Sequence, residues 1–338
     1  MPLRAGIVGL PNVGKSTLFN ALTAAGVLAA NYPFATKDPN VGVITVPDER
    51  LNELWKLVGS KKIIPTTVQI VDIAGLIKGA SKGEGLGNQF LANIREVDAI
   101  LHIIRCFDDS RILHVDGSVD PVRDKEIIDL ELLFKDIETA EKKLEKYLKA
   151  SKSADKTDIR KAEFAKKILD FMADGNMARN YKCETPEELR IFKDMMLLTS
   201  KPVLYVLNVD EKSIKYGNKY TQALEQAVAG EDAEIIHISA SAESDIMELK
   251  DPEEKQIFLD DLELTEPGVN RVIKSTYKLL NLITFLTTGE RETRAWTIRG
   301  GTRAQDAAGE IHTDFVRGFI RAEVIKYDDF IKYGSENA

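Results

Sequence analysis

The sequence predicts an α/β chain built on a mainly parallel sheet, with an antiparallel helical hairpin inserted in it and a small β-grasp at its end. Three observations predict this. A short apolar run, Ala5-Gly6-Ile7-Val8, leads into Gly9-Leu10-Pro11-Asn12-Val13-Gly14-Lys15-Ser16-Thr17, which fits the phosphate-loop pattern G-x-x-x-x-G-K-[ST]. A second apolar run, Thr66 to Val71, delivers Asp72-Ile73-Ala74-Gly75. Between later strands, Ile137, Ala140, Leu144 and Tyr147 recur at the three- and four-residue spacing of a coiled-coil seam.

The first strand is expected to end at Gly9. Leu18 and Leu22 lie four apart and place one face of a helix against the sheet. Gly9 and Gly14 let the backbone bend so that consecutive N–H groups and the helix start point at an anion. Lys15 then reaches the β- and γ-phosphates, and the Ser16 hydroxyl can bind Mg²⁺. An ordinary glycine turn with a chance lysine is the bland alternative, and the flanking strand and helix weigh against it. Thr36, in the loop after this helix, is the candidate to close over Mg²⁺ and the γ-phosphate, whereas Thr45 reads as a strand residue.

Asp72 falls at the carboxyl end of its strand, where it can hold a magnesium-bound water, and the Gly75 N–H can sense the γ-phosphate. GTPases of the Ras type carry a glutamine at the next position; here stands Leu76, which cannot orient water. Intrinsic hydrolysis is therefore expected to be slow, given that Ras itself manages only about 10⁻⁴ per second unaided. Four glycines in the nine residues Gly79–Gly87 read as a switch segment. A helix from about Asn88 to Arg95 leads to the buried strand Ala99–Cys106, in which His102 reads as a core histidine. His114 follows that strand, on the side where ligands of such sheets bind.

From Ile127 the pattern turns helical. Phe164, Ile168 and Met172 continue a second helix ending near Gly175, and the segment from Ser151 to Asp158 forms a polar tip. Ten Lys or Arg stand against four Asp or Glu between Lys142 and Lys167. A solvated helical face explains that excess at least as well as contact with nucleic acid. Thr185-Pro186-Glu187-Glu188 carries a helix cap, a first-position proline and a capping-box glutamate. The strands Val203–Leu207 and Ile235–Ile238 deliver Asn208-Val209-Asp210-Glu211 and Ser239-Ala240-Ser241.

GTPases place N-K-x-D and S-A-x at these two positions to bind the base. Here Glu211 stands in place of the aspartate that accepts from guanine N1–H and the exocyclic amine, and Val209 replaces the lysine. Guanine preference should be lost, because a site built around such bonds discriminates by leaving mismatched polar groups unpaired.

Together, G-x-P-N-V-G-K-S, Y-P-F-A-T, D-I-A-G-L, N-V-D-E and S-A-S resemble the YchF subfamily of Obg-like ATPases, from residue 3 to the end of the chain. The resemblance implies a G-protein-like P-loop nucleotidase fold over residues 1–127 and 198–280, a coiled-coil insert over 128–197, and a C-terminal TGS β-grasp over 281–338. It implies that Asn12, Val13, Gly14, Lys15, Ser16 and Thr17 cradle ATP and that Ser16 and Thr36 bind Mg²⁺. Asn208, the Val209 backbone, Glu211, Ser239, Ala240 and Ser241 would surround adenine. Family members associate with the ribosome, share the hydrophobic residue at Leu76, and have a candidate catalytic substitute at the position of His114. A potassium ion beside Asn12 is a further cation that the reading leaves open. At the C-terminus, Leu282–Leu286 and Arg294–Ile298 read as a hairpin, followed by a short helix at Ala304–Ala308 and a strand at Ile320–Ile325. Family TGS domains run further than Ala338, so the β-grasp is expected to be incomplete in this sequence.

The composition agrees. With 338 residues, 43% of them hydrophobic, the chain can build two or three cores, and its net charge of −8 argues against a uniformly basic nucleic-acid binder. No apolar run is long enough to span a membrane. Met1 to Arg4 run straight into the first strand, and Cys106 and Cys183 show no C-x-x-C spacing, so a cytoplasmic protein is expected. The four histidines are too scattered for a metal site. Three functions stay in view: a slow ATPase whose nucleotide state gates ribosome binding, a GTPase switch with a relaxed base site, and a ribosome- or RNA-binding module in which hydrolysis is incidental.

Overall fold

The computed structural model describes residues 3–25, 40–73, 86–151 and 155–335. In chain order the first elements are β1 (Arg4–Val8), α1 (Lys15–Ala25), β2 (Val41–Thr45), α2 (Glu49–Val58), β3 (Ile63–Ile64), β4 (Thr67–Asp72), α3 (Leu86–Glu96) and β5 (Ala99–Arg105). Two long helices follow, α4 (Pro121–Ser151) and α5 (Lys156–Ala173), then α6 (Pro186–Met195), β6 (Val203–Asn208), α7 (Lys219–Ala227), β7 (Glu234–Ile238), α8 (Ala240–Glu248), α9 (Pro252–Asp261) and α10 (Gly268–Leu279). The chain closes with β8 (Leu282–Thr288), β9 (Thr293–Arg299), α11 (Ala304–Ile311), α12 (Thr313–Gly318) and α13 (Tyr327–Tyr333).

The large sheet has the order β2-β4-β1-β5-β6-β7, and only β2 runs antiparallel to its neighbour. β5 and β6 are buried along their whole length, as their continuous apolar sequences require of parallel strands covered on both faces. Leu18 and Leu22 of α1 are fully buried in the main core, the face their spacing predicted. All loops at the carboxyl ends of β1, β5 and β6 consequently meet at one edge of the sheet.

α4 begins at Pro121, six residues before the helical pattern of the sequence. Its first turns carry Asp124, Lys125 and Asp129, all buried. They escape a hydrophobic pattern because they are buried as a paired set. Lys125 Nζ lies 2.7 Å from both Asp129 and Glu231, and Tyr205 Oη donates to Glu231 at 2.7 Å. Arg179, at the foot of α5, closes the set 3.4 Å from Glu231. Beneath it lies His102, only 3% exposed, whose pKa burial lowers to about 4, so the ring stays neutral at physiological pH.

Leu133, Ala140, Phe164, Ile168 and Met172 form a second core between α4 and α5, with Ile137, Leu144 and Tyr147 packed against it, as the seam predicted. α5 ends two residues before Gly175. Thr185 caps α6, but the Glu188 carboxylate reaches back to the N–H of Glu184. Asp136 ties the hairpin down by accepting from the N–H groups of Leu198 and Thr199, both at 2.7 Å. Much of the basic excess on the hairpin is laced with acids: Lys149–Glu145, Arg160–Glu187, Lys161–Asp158, Lys166–Asp170 and Lys167–Glu188.

The hairpin β8–β9 forms as expected, and β3 adds to it in parallel, giving the order β3-β9-β8. A strand as short as Ile63–Ile64 leaves no periodic trace in a sequence, which is why its pairing was not foreseen. The strand expected at Ile320–Ile325 is not formed. Those residues are exposed and have no strand beside them among the described residues, and alternation alone cannot supply the hydrogen bonds of a ladder.

Candidate nucleotide site

β1 delivers the chain into the phosphate loop, and α1 starts at Lys15 itself. Gly9 is required by crowding: a Cβ there would lie 2.5 Å from the Ile103 carbonyl of β5. Gly14 is required twice over. Its φ is +98°, and a Cβ would come within 2.4 Å of Asn208 Nδ2.

Lys15 folds back over the loop and donates to the carbonyls of Gly9 and Leu10 at 3.0 and 2.7 Å. Burial lowers its pKa, and the Asp72 charge works against that. Burial in turn raises the Asp72 carboxyl, while Lys15 and a hydrogen bond with Ser16 pull it back. Among the described residues this half-buried ammonium meets two carbonyls and one part-buried carboxylate, a setting that suits an anion. The Ser16–Asp72 pair supplies hard oxygen donors of the kind Mg²⁺ takes beside phosphates. Thr36, Gly75 and Leu76 lie outside the described residues.

Asn208 joins the phosphate loop to the base side. Its Nδ2 donates to the Val13 carbonyl at 2.9 Å, and its Oδ1 accepts from the Ala240 N–H at 3.0 Å. The Val209 N–H is spent on the Ile238 carbonyl at 2.9 Å. Asp210 is spent as well, because its carboxylate accepts from both the N–H and the hydroxyl of Ser213. Glu211 is exposed at the rim. Ser239 caps α8, and its Oγ lies 3.2 Å from that of Ser241. Asn208, Val209, Asp210, Glu211, Ala240 and Ser241 line a cavity of about 770 Å³ that also takes in Asn12, Gly14 and Thr17, whereas Ser239 is buried and does not line it.

The other wall is the loop after β5, with Phe107, Asp108, Asp109, Arg111 and Ile112 facing the cavity. The sequence reading used the rule about strand ends only for His114; applied to the residues directly behind β5 it would have found these too. Arg105, 2% exposed, organises the loop: its guanidinium donates to the carbonyls of Phe107, Asp109 and Ile112 at 3.1–3.2 Å. Asn12, held at φ +60°, donates to the Leu113 carbonyl at 3.3 Å and so fastens this loop to the phosphate loop. The His114 side chain is 5% exposed. Its Nε2 lies 2.8 Å from Asp124, and its Nδ1 accepts from the Asp116 N–H at 3.1 Å, so both ring nitrogens are engaged.

A strand, a phosphate-binding loop and a helix at the centre of this sheet, with a base cavity behind Asn208, define a P-loop nucleotidase of the GTPase fold. A family model described as 50S ribosome-binding GTPase matches residues 4–152, and the C-terminal model of YchF GTPases, described as a protein of unknown function, matches residues 282–338. The ribosome-binding ATPase YchF of Bacillus subtilis is 50% identical over 336 residues, covering 99% of this chain and 91% of that protein. That of Escherichia coli O157:H7 is 49% identical, covering 99% and 92%. The solved YchF GTPase of Schizosaccharomyces pombe superposes with a TM-score of 0.89 at 39% identity, covering 99% of this chain and 91% of that one. The chain belongs to the YchF family.

Proposed function

We propose that the chain is a magnesium-dependent ATPase that turns over slowly and whose nucleotide state gates association with the ribosome. What supports the choice of base is that, among the described residues, no free aspartate stands at the guanine-reading position, where the longer Glu211 lines the cavity instead. Asp210 is locked onto Ser213, the Val209 N–H onto Ile238, and Glu211 stands at the rim. The Val209 carbonyl is then the backbone group that meets the base. A carbonyl accepts from the adenine N6 amine and opposes the guanine O6, and that sign of discrimination favours ATP. Ser16, with Thr36, would hold Mg²⁺, which supplies charge neutralisation at the β- and γ-oxygens when bound. Lys15 lies ready to exchange its carbonyl partners for those oxygens.

In equilibrium titrations ATP is expected to bind at least as tightly as GTP, and Glu211→Asp is expected to move the preference toward GTP. A strong GTP preference in the unaltered protein would sink the assignment. Turnover stimulated by ribosomes separates a gated switch from a binding module in which hydrolysis is incidental. His114 is the group proposed to act on the water in place of the residue at Leu76.

The ribosome-binding names of the relatives support a ribosomal partner in the cytoplasm, and no helix among the described residues is long and apolar enough to cross a membrane. The hairpin is the candidate contact with ribosomal RNA. Lys142, Lys146 and Lys156 have no acidic ion-pair partner among the described residues. Replacing Lys149, Lys152 (outside the described residues) and Lys156 by alanine is expected to lower the salt slope of ribosome binding by about 2, at roughly 0.7–0.9 per phosphate contact. An unchanged slope in co-sedimentation would return the hairpin's charge to a solvated surface. The division into a nucleotide domain, a helical insert and a C-terminal domain belongs to the same proposal, supported by the separate core between α4 and α5.

A further inference from the structure

His114 is held in a small, closed arrangement of charged groups. Its Nδ1 accepts a hydrogen bond from the Asp116 N–H, so that nitrogen carries no proton. The ring proton is therefore on Nε2, and it is donated to Asp124 Oδ2 at 2.8 Å. Asp124 is 3% exposed at its side chain and sits in the first turn of α4. Its second oxygen accepts from Arg123 Nη2 at 3.0 Å and from Nε at 3.3 Å. Arg123 also donates to the Ser118 carbonyl at 2.6 Å and lies 3.9 Å from Asp116, so one cation serves the helix and the loop together.

The two ring nitrogens are held very differently. Nε2 faces a buried carboxylate that is itself neutralised and fixed on a long helix. Nδ1 faces one backbone N–H in an exposed turn, where Gly117 has φ +77° and open space around it. The turn can open at the cost of exposed bonds, whereas breaking the Asp124 contact would take the hydrogen bond from a buried carboxylate oxygen, Oδ2, and leave Arg123 on the other. Neighbouring Leu113 is fastened to Asn12 of the phosphate loop, so the loop that carries the ring is tied to the nucleotide side, although the ring itself does not line the cavity.

We propose that Asp124 is the positioning residue for His114. It holds the Nε2 proton and so leaves Nδ1 as the nitrogen that accepts a hydrogen bond from the attacking water once the Asp116 N–H lets go. This rests on the reading of His114 as the group that acts on the water. It is the arrangement by which a carboxylate sets the tautomer and orientation of an imidazole.

The test uses the full chain with Mg-ATP in single-turnover cleavage, with ATP affinity measured separately. Asp124→Asn is expected to lower cleavage by at least about tenfold, with ATP affinity within about twofold of the parent. The double variant Asp124→Asn/His114→Ala is expected to be no slower than His114→Ala alone. In protein labelled with ¹⁵N-histidine, the His114 signals should report the Nε2-protonated tautomer, and Asp124→Asn should shift them. Should Asp124→Asn fold poorly, Asp124→Glu keeps the carboxylate and is expected to retain the tautomer signal and part of the rate. An Asp124→Asn protein that cleaves at the parent rate while His114→Ala is slow overturns the inference and leaves His114 standing. A double variant clearly slower than His114→Ala also overturns it, since Asp124 would then act apart from the ring. If His114→Ala itself cleaves ATP at the parent rate, the underlying assignment of His114 fails instead.

Discussion

Lys15→Ala is expected to lower ATP cleavage by about a thousandfold, the upper end of what removing one preorganised charge costs at a reacting group. The reason lies in what surrounds the ammonium. It is half-buried, its pKa is lowered by burial, and two carbonyls and the Asp72 charge are what hold it there. Phosphate oxygens would be far better partners, so the ammonium should transfer to them when nucleotide binds. Alanine removes that attraction and also leaves Asp72 facing the phosphates without its cation. Affinity for ATP should fall together with the rate. Calorimetric titration and single-turnover cleavage check this, and a variant within tenfold of the parent would remove Lys15 from the phosphate role.

The second large effect is expected at Gly14. A β-carbon at φ +98° costs about 1–2 kcal/mol in backbone conformation alone. It would also sit 2.4 Å from Asn208 Nδ2, an atom with little room to retreat because the amide is bonded at both ends. Gly14→Ala should therefore separate the phosphate loop from the Ser239–Ser241 loop. ATP and GTP affinity are expected to fall together by about a hundredfold or more, equivalent to about 3 kcal/mol, while the helical circular-dichroism signal stays near that of the parent. Retained affinity for either nucleotide would show that the bridge through Asn208 is dispensable.

These two residues also mark what was legible beforehand. Lys15 and Gly14 stand inside a contiguous motif whose chemistry depends on neighbours in sequence, and such motifs can be read directly. Asn208 was placed at the base side, yet its bonds to Val13 and Ala240 join segments that are far apart along the chain, and no local pattern records them. Arg105 is less legible still. A cation at the end of an apolar strand looks like a solvent-facing terminus, but the loop carbonyls it gathers allow it to be buried. The start of α4 was missed for the same reason. Asp124, Lys125 and Asp129 look like a solvated stretch, and only their partners on β6, the loop before β7 and the histidine loop make burial tolerable. The seam of the hairpin, made of apolar side chains at fixed spacing, was readable. The strand expected at Ile320–Ile325 shows the reverse failure, a pattern without a neighbour to bond.

α4 is continuous from the turn beside His114 to the far tip of the hairpin, and it is pinned along its first half through Asp124, Lys125, Asp129 and Asp136. Beyond Asp136 it runs on for about 15 residues, or about 22 Å at 1.5 Å per residue. Mechanically this is a lever with its fulcrum on the sheet. A tilt of about 10° at the pinned end sweeps Ser151 through about 4 Å, roughly the width of a side chain. Under the proposed nucleotide gating, a rearrangement of a few atoms around a γ-phosphate would be geared up into a displacement at the tip, and a load applied there would return to the histidine loop with the gearing reversed.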